Sequence, residues 1–167
     1  MIGALLAVGL GVVALGGVAS AVRRGFAVGL TLQAVGMAAV GLAGFWALAS
    51  GDASGQAFTS GFDPRLGVDG LSGVFLGTLG LVAVPALVFA MRYLSPAVGG
   101  RAVASLTAAF LLALAAVLCA RDPLTFLLGW ELMTLLPAAL ILIARNADRQ
   151  SRRVVFIYVT ITHLGGA

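Results

Sequence analysis

Asp122-Pro123-Leu124-Thr125-Phe126-Leu127-Leu128-Gly129-Trp130-Glu131-Leu132-Met133-Thr134-Leu135-Leu136-Pro137, with the apolar run that continues to Ala144, decides what kind of protein this is. Asp122 can cap a helix start, and Pro123 suits the first helical position, where an N–H would be unpaired anyway. The segment from Pro123 to Ala144 is long enough to cross a bilayer and apolar apart from Glu131, the one glutamate in the chain. Glu131 lies eight residues past Pro123, roughly 12 Å along a helix axis at about 1.5 Å per residue. In a hydrocarbon layer about 30 Å thick, that is near the middle. A carboxylate there costs at least about 2.5–3.5 kcal/mol on insertion scales, so it calls for a partner or a role.

The rest of the chain agrees with a membrane setting. Of 167 residues, 61% are hydrophobic and 10% charged, against about 25% charged in soluble domains. Mean hydropathy is +1.12 and the pI is 10.6. That pI does not indicate a nucleic-acid partner, because the basic residues stand in short stretches between apolar runs instead of on one polar face. All ten basic residues are arginines. Cys119 is the only cysteine and sits within an apolar run, so it has no internal disulfide partner. No P-loop, nucleophile motif or metal-ligand spacing occurs, and no cofactor is expected in this chain. Met1–Val22 carries no positive residue before its apolar run, unlike a signal peptide, and Arg23 and Arg24 follow it.

Hydropathy therefore predicts an all-α polytopic transmembrane helix bundle, a single membrane domain over residues 1–167, with five full spans and the start of a sixth. The spans are expected at Ile2–Val22, Phe26–Ala49, Val68–Met91, Ala102–Ala120 and Pro123–Ala144, with Val154–Ala167 incomplete. Fourteen residues make about 21 Å of helix, which suggests the front portion of a longer or split protein. Arg92–Arg101 and Arg145–Arg153 read as loops. The connections after spans one, three and five carry net charges of +2, +2 and +3; the one after span two, counting Asp69, is −2 and the one after span four neutral. By the positive-inside rule, the N-terminus is expected outside and the Arg-rich connections in the cytoplasm of a cell or inner membrane. Gly25-x-x-x-Gly29 and Gly73-x-x-x-Gly77 read as helix-packing positions, with no partner assigned.

Glu131 is the leading candidate for chemistry. Burial raises a carboxyl's pKa and a neighbouring cation lowers it, so an intramembrane acid can be poised to exchange a proton. Thr134 stands one turn on, able to hydrogen-bond the neighbourhood of that carboxyl. Pro137 withholds a bond from the Met133 carbonyl and loosens the helix beyond. His163, the only histidine, sits ten residues into the sixth segment; imidazole titrates near neutrality, which suits a relay, and a packing role is the alternative. Asp69 reads as a helix cap, Arg145, Arg149, Arg152 and Arg153 as an anchor at the membrane surface, and Gln33 and Thr78 as too isolated to interpret.

Three segments taken together resemble one family: Leu66-Gly67-Val68-Asp69-Gly70-Leu71-Ser72; Pro123 to Leu135 with its Trp130-Glu131-Leu132-Met133 core; and Ser151-Arg152-Arg153 followed by Ile157-Tyr158 and Thr162-His163-Leu164-Gly165-Gly166-Ala167. They are similar to the proton-conducting antiporter-like subunits of respiratory complex I, multisubunit sodium/proton antiporters and membrane-bound hydrogenases, most of all to hydrogenase-4 component B and formate hydrogenlyase subunit 3. The resemblance covers the back two-thirds of the chain. It implies a fold of about fourteen helices with an outward N-terminus, in which Glu131 matches a fifth-helix glutamate that pairs with a seventh-helix lysine. His163 would fall near the proton path. The subunit would itself be non-catalytic, carry no cofactor, and work with other membrane subunits of a redox-driven complex, moving protons or exchanging Na⁺. The chain departs from this pattern: it contains no lysine and stops before a seventh helix, so Glu131's partner would come from another polypeptide. Two other readings stay open, a small structural or assembly membrane protein and an unrelated homo-oligomeric transporter.

Overall fold

A computed structural model describes residues 1–166; Ala167, the end of the expected sixth segment, lies outside them. The described chain folds into six α-helices: α1 (Ile2–Ser20), α2 (Phe26–Ser50), α3 (Gly70–Tyr93), α4 (Val98–Cys119), α5 (Pro123–Ala144) and α6 (Arg149–Gly166). Two short antiparallel strands, β1 (Ser54–Gly55) and β2 (Gly67–Val68), pair within the connection between α2 and α3. Helices α1 to α5 are long and apolar enough to cross a membrane.

The ends of these helices follow from local chemistry. Asp69 accepts a hydrogen bond from the Ser72 amide at 2.9 Å to start α3, and Asp122 accepts one from Thr125 at 2.8 Å to start α5 with Pro123 in its first turn. α2 ends on Gly51 at φ 68°, a left-handed position that glycine adopts without steric cost. α5 ends differently, on Asn146 and Ala147 at φ 52° and 48°. Asparagine tolerates that region, while alanine there is strained. The strained residue is fixed on both sides: its N–H donates to the Leu142 carbonyl at 2.7 Å, and its carbonyl accepts from Arg152 Nε at 2.6 Å.

The sixth segment departs from expectation in two ways. The helix starts at Arg149, not Val154, because Asp148 accepts a hydrogen bond from the Ser151 amide at 2.6 Å and caps it. The arginines read as loop thus form its first turns, and with Arg149, Arg152 and Arg153 inside it α6 is not apolar enough to count as a span by itself. α4 also begins earlier than hydropathy predicts, at Val98, so Arg101 lies in its first turn and not in a loop. In both places a charged residue masked a helix that its neighbours sustain.

α2 is the central helix, gripped by α1 and α3. Glycines set the approach. A Cβ on Gly80 would fall 2.5 Å from Gly41 Cα, one on Gly44 2.5 Å from the Gly77 nitrogen, and one on Gly16 2.6 Å from the Gly29 carbonyl oxygen. Backbones this close gain dispersion contacts where lipid offers no hydrophobic drive. Gly73 and Gly77 thus acquire the partner the sequence withheld: Gly73 faces Gly44 and Gly77 faces the ring of Phe45. Leu30, Met37, Val40 and Leu76 fill the enclosed centre. Gln33, fully buried, joins three helices, donating from Nε2 to Ser20 Oγ at 3.0 Å and to the Ala104 carbonyl at 3.2 Å.

α4 packs across α1 and α3, and α5 seats on α4, where Gly129 faces Val117. At one end of the bundle the α2–α3 connection is clasped to the short turn between α4 and α5. Arg121 forms an ion pair with Asp69 at 3.1 Å and donates to Ser72 Oγ at 3.0 Å. The Arg65 amide donates to Asp122 at 2.6 Å, the Arg121 amide to the Arg65 carbonyl at 2.9 Å, and the Thr59 amide to the Arg121 carbonyl at 2.8 Å. Asp69 is therefore a cap, as its position suggests, and also one half of this clasp.

Candidate functional site

α5 and α6 run antiparallel and in contact. From the turn that joins them, Glu131 stands thirteen residues back along α5 from Ala144 and His163 fourteen residues on from Arg149, which is roughly 20 Å in either helix. The two side chains are therefore level, and His163 Nε2 lies 3.0 Å from a carboxylate oxygen of Glu131. Sequence separation concealed this pairing. The family pattern assigned Glu131 a cation outside this chain, whereas the fold brings it the chain's own imidazole. The spacing of two antiparallel helices around a short turn is the signal that could have found it.

The other ring nitrogen limits what the pair can do. His163 Nδ1 lies 2.9 Å from the Val159 carbonyl oxygen, one turn back on α6. A carbonyl only accepts, so Nδ1 carries a proton and donates it. Nε2 then has two states. Bare, it accepts from a protonated Glu131; protonated, it donates to the Glu131 carboxylate. Removing the proton altogether would set an imidazole lone pair against a carboxylate at 3.0 Å, two acceptors facing each other. With one proton in the contact the hydrogen bond is satisfied whichever atom carries it, and in both arrangements the pair has no net charge. A neutral pair escapes most of the cost that an isolated ion meets at this depth.

The pair is not enclosed. The side chains of His163 and Glu131 are 43% and 50% exposed, on the outer face of the α5–α6 hairpin. Trp130 lies next to Glu131 and packs against Phe126, the ring centroids 5.8 Å apart and the planes tilted by 30°, both partly exposed. Thr134 is buried and donates to the main-chain carbonyl of Glu131 at 2.8 Å, so it braces the helix at the acid without touching the carboxylate. Thr160, three residues before His163 on α6, donates to the Phe156 carbonyl at 2.8 Å. α5 continues through Pro137 as one helix. Among the described residues, no three His, Cys, Asp or Glu side chains gather as metal ligands.

Outside the spans, three aspartates have lowered pKa values. The Ser72 amide, against some desolvation and with help from Arg121, holds Asp69 below the usual carboxylate range. Burial pushes Asp122 up, but hydrogen bonds from Thr125, Arg65 and Leu124 together outweigh it and leave it lowered. Asp148 is held down by the Ser151 amide and hydroxyl. All three are fixed anions that hold the bundle's ends, distinct from the proton-sharing pair between α5 and α6.

Compared with protein-family models, with curated proteins and with solved structures, the chain has no match.

Proposed function

We propose that this chain is a membrane subunit of a proton-translocating redox complex, of the respiratory or hydrogenase kind, in which Glu131 on α5 and His163 on α6 form one station of a proton path. The observation that carries the reading is the 3.0 Å contact between the Glu131 carboxyl and an imidazole whose other nitrogen faces the Val159 carbonyl, an arrangement suited to sharing one proton. Such a station passes a proton in two moves: an incoming proton gives the carboxylic acid together with imidazolium, and loss of one restores the neutral pair. Half of the carboxyl group stays open on the outer face of the hairpin, available to a cation from another subunit. A lysine there would stabilise the carboxylate and drive the shared proton onto His163; its withdrawal would return the proton to Glu131.

The resemblance of the Trp130-Glu131-Leu132-Met133 and Thr162-His163-Leu164-Gly165 segments to antiporter-like subunits supports the same assignment, with electron chemistry left to partner subunits and H⁺ or Na⁺ as the transported ion. The excess of arginine in the connections after spans one, three and five supports an orientation with that end in the cytoplasm and the N-terminus outside. In membrane vesicles containing the assembled complex, Glu131→Gln should abolish redox-driven acidification while leaving the complex intact on native gels. A scaffold or assembly role requires the opposite, full proton movement with Glu131→Gln, and that outcome overturns the proposal. A homo-oligomeric transporter would instead move its substrate in liposomes with no other subunit present.

A further inference from the structure

We propose that the Arg-bearing end of the bundle holds one anionic phospholipid, its phosphate between Arg23 and Arg101 at the start of α4 and one acyl chain in the groove below. Arg23, from the turn between α1 and α2, and Arg101, from the first turn of α4, line one cavity of about 420 Å³ with Ser95 and residues 96–98. Neither arginine has a carboxylate partner among the described residues. Arg101 is steadied by a bond from its terminal nitrogen to the Ala21 carbonyl at 3.3 Å, yet its Nε is shut away from the exterior with no acceptor. A buried guanidinium nitrogen without an acceptor is costly to leave unmade.

The backbone adds to the same charge preference. α3, α5 and α6 start on the aspartates Asp69, Asp122 and Asp148, whereas α4, like α1 and α2, starts with no side-chain acceptor for its first amides. Gly99 faces open space there. Two guanidinium groups without a carboxylate partner among the described residues line one cavity with Ser95 and the start of α4, and no acid lines it; that is a donor set suited to phosphate oxygens.

A second cavity selects the lipid over free phosphate. It measures about 310 Å³, shares Val98 and Arg101 with the first, and continues past Ala21 and Ala102 to Leu106. Leu106 is eight residues beyond Val98, about 12 Å further along α4 and so towards the hydrocarbon. Polar donors at the end of a span, followed by an apolar groove down its side, match a headgroup and its chain.

The full chain, purified in a zwitterionic detergent, is titrated with phosphatidylglycerol, phosphatidylcholine and inorganic phosphate and read by native mass spectrometry. Wild type should retain one phosphatidylglycerol in preference to phosphatidylcholine, and inorganic phosphate should not displace it. Arg23→Gln and Arg101→Gln should each weaken retention by about tenfold or more, the loss of a charged phosphate contact. Arg24→Gln removes the same charge beside the cavity without lining it and should bind as wild type. Leu106→Gln should weaken the lipid alone. Arg23 is exposed and makes no hydrogen bond within the fold, so its variant tests the site without disturbing folding. Unchanged binding by Arg23→Gln, an equal loss with Arg24→Gln, or displacement by inorganic phosphate would each overturn the proposal.

Discussion

Glu131 and His163 are the only glutamate and the only histidine in the chain, so isotope labelling of either amino acid reports one site. With ¹⁵N-histidine, Nδ1 should be the protonated nitrogen and Nε2 the one that senses Glu131, because the Val159 carbonyl faces the first nitrogen and the carboxylate the second. A spectrum in which Nδ1 loses its proton would remove the basis for a shared proton. Glu131→Gln should alter the Nε2 signal and leave Nδ1 where it was. Glu131 could be singled out from sequence because an acid in a span is expensive whatever surrounds it. His163 could be singled out as the one imidazole, but its pairing with Glu131, thirty-two positions away, emerges only when the two segments are folded antiparallel about their short turn. Gln33 was hidden for a related reason. Its role as a tie between α1, α2 and α4 depends on Ser20 and the Ala104 carbonyl, which no local pattern links to it.

Among the elements, α5 was the most legible: an aspartate cap, a first-turn proline and an uninterrupted apolar run mark its limits, and the helix occupies Pro123–Ala144 as expected. α4 and α6 were read as starting four or five residues late, since arginines lower hydropathy without breaking a helix. The glycines of α2 and α3 were legible as packing positions but not as pairs. Their pairing predicts that Gly80→Ala, which puts a methyl group against Gly41 and the Met37 carbonyl, destabilises the bundle by about 1–3 kcal/mol through overpacking. Unfolding by SDS in mixed micelles measures this, and Gly11→Ala, on a site with open space around it, should have no such effect. The clasp makes a second prediction. Asp69 and Asp122 are both lowered in the folded state, so their contribution is whole above the ordinary carboxylate pKa of about 4 and fades as pH falls through the lowered values. Tm should therefore hold steady from neutrality to about pH 5 and drop below about pH 4, with a smaller drop in Asp122→Asn, whose own neutral-pH Tm is already reduced.

For the whole molecule, the alternation of charged connections anticipated a bundle with two unlike ends. One end carries the clasp among Arg65, Asp69, Arg121 and Asp122; the other carries Arg23 and Arg101, the latter bonded to Ala21. The proposed orientation puts the first outside and the second in the cytoplasm. In a Cys119→Ser background, a cysteine replacing Ser60 should react with an impermeant maleimide added outside intact cells, and one replacing Asn146 only after the membrane is opened. Reversed labelling would refute that sidedness. The extent of the bundle was legible because apolar length alone sets it. How the sixth segment would behave was not, because α6 borrows its place from α5.

That borrowing has a mechanical consequence. α6 is held along its length by α5, and α5 by α4, so force applied at the last helix travels through these three in series before reaching the glycine-knit trio of α1, α2 and α3. The clasp at Arg121 and Asp122 is a parallel fastening. Tension at the far end of the chain therefore loads the Glu131–His163 contact first, and a displacement that leaves the trio at rest is enough to part the two side chains.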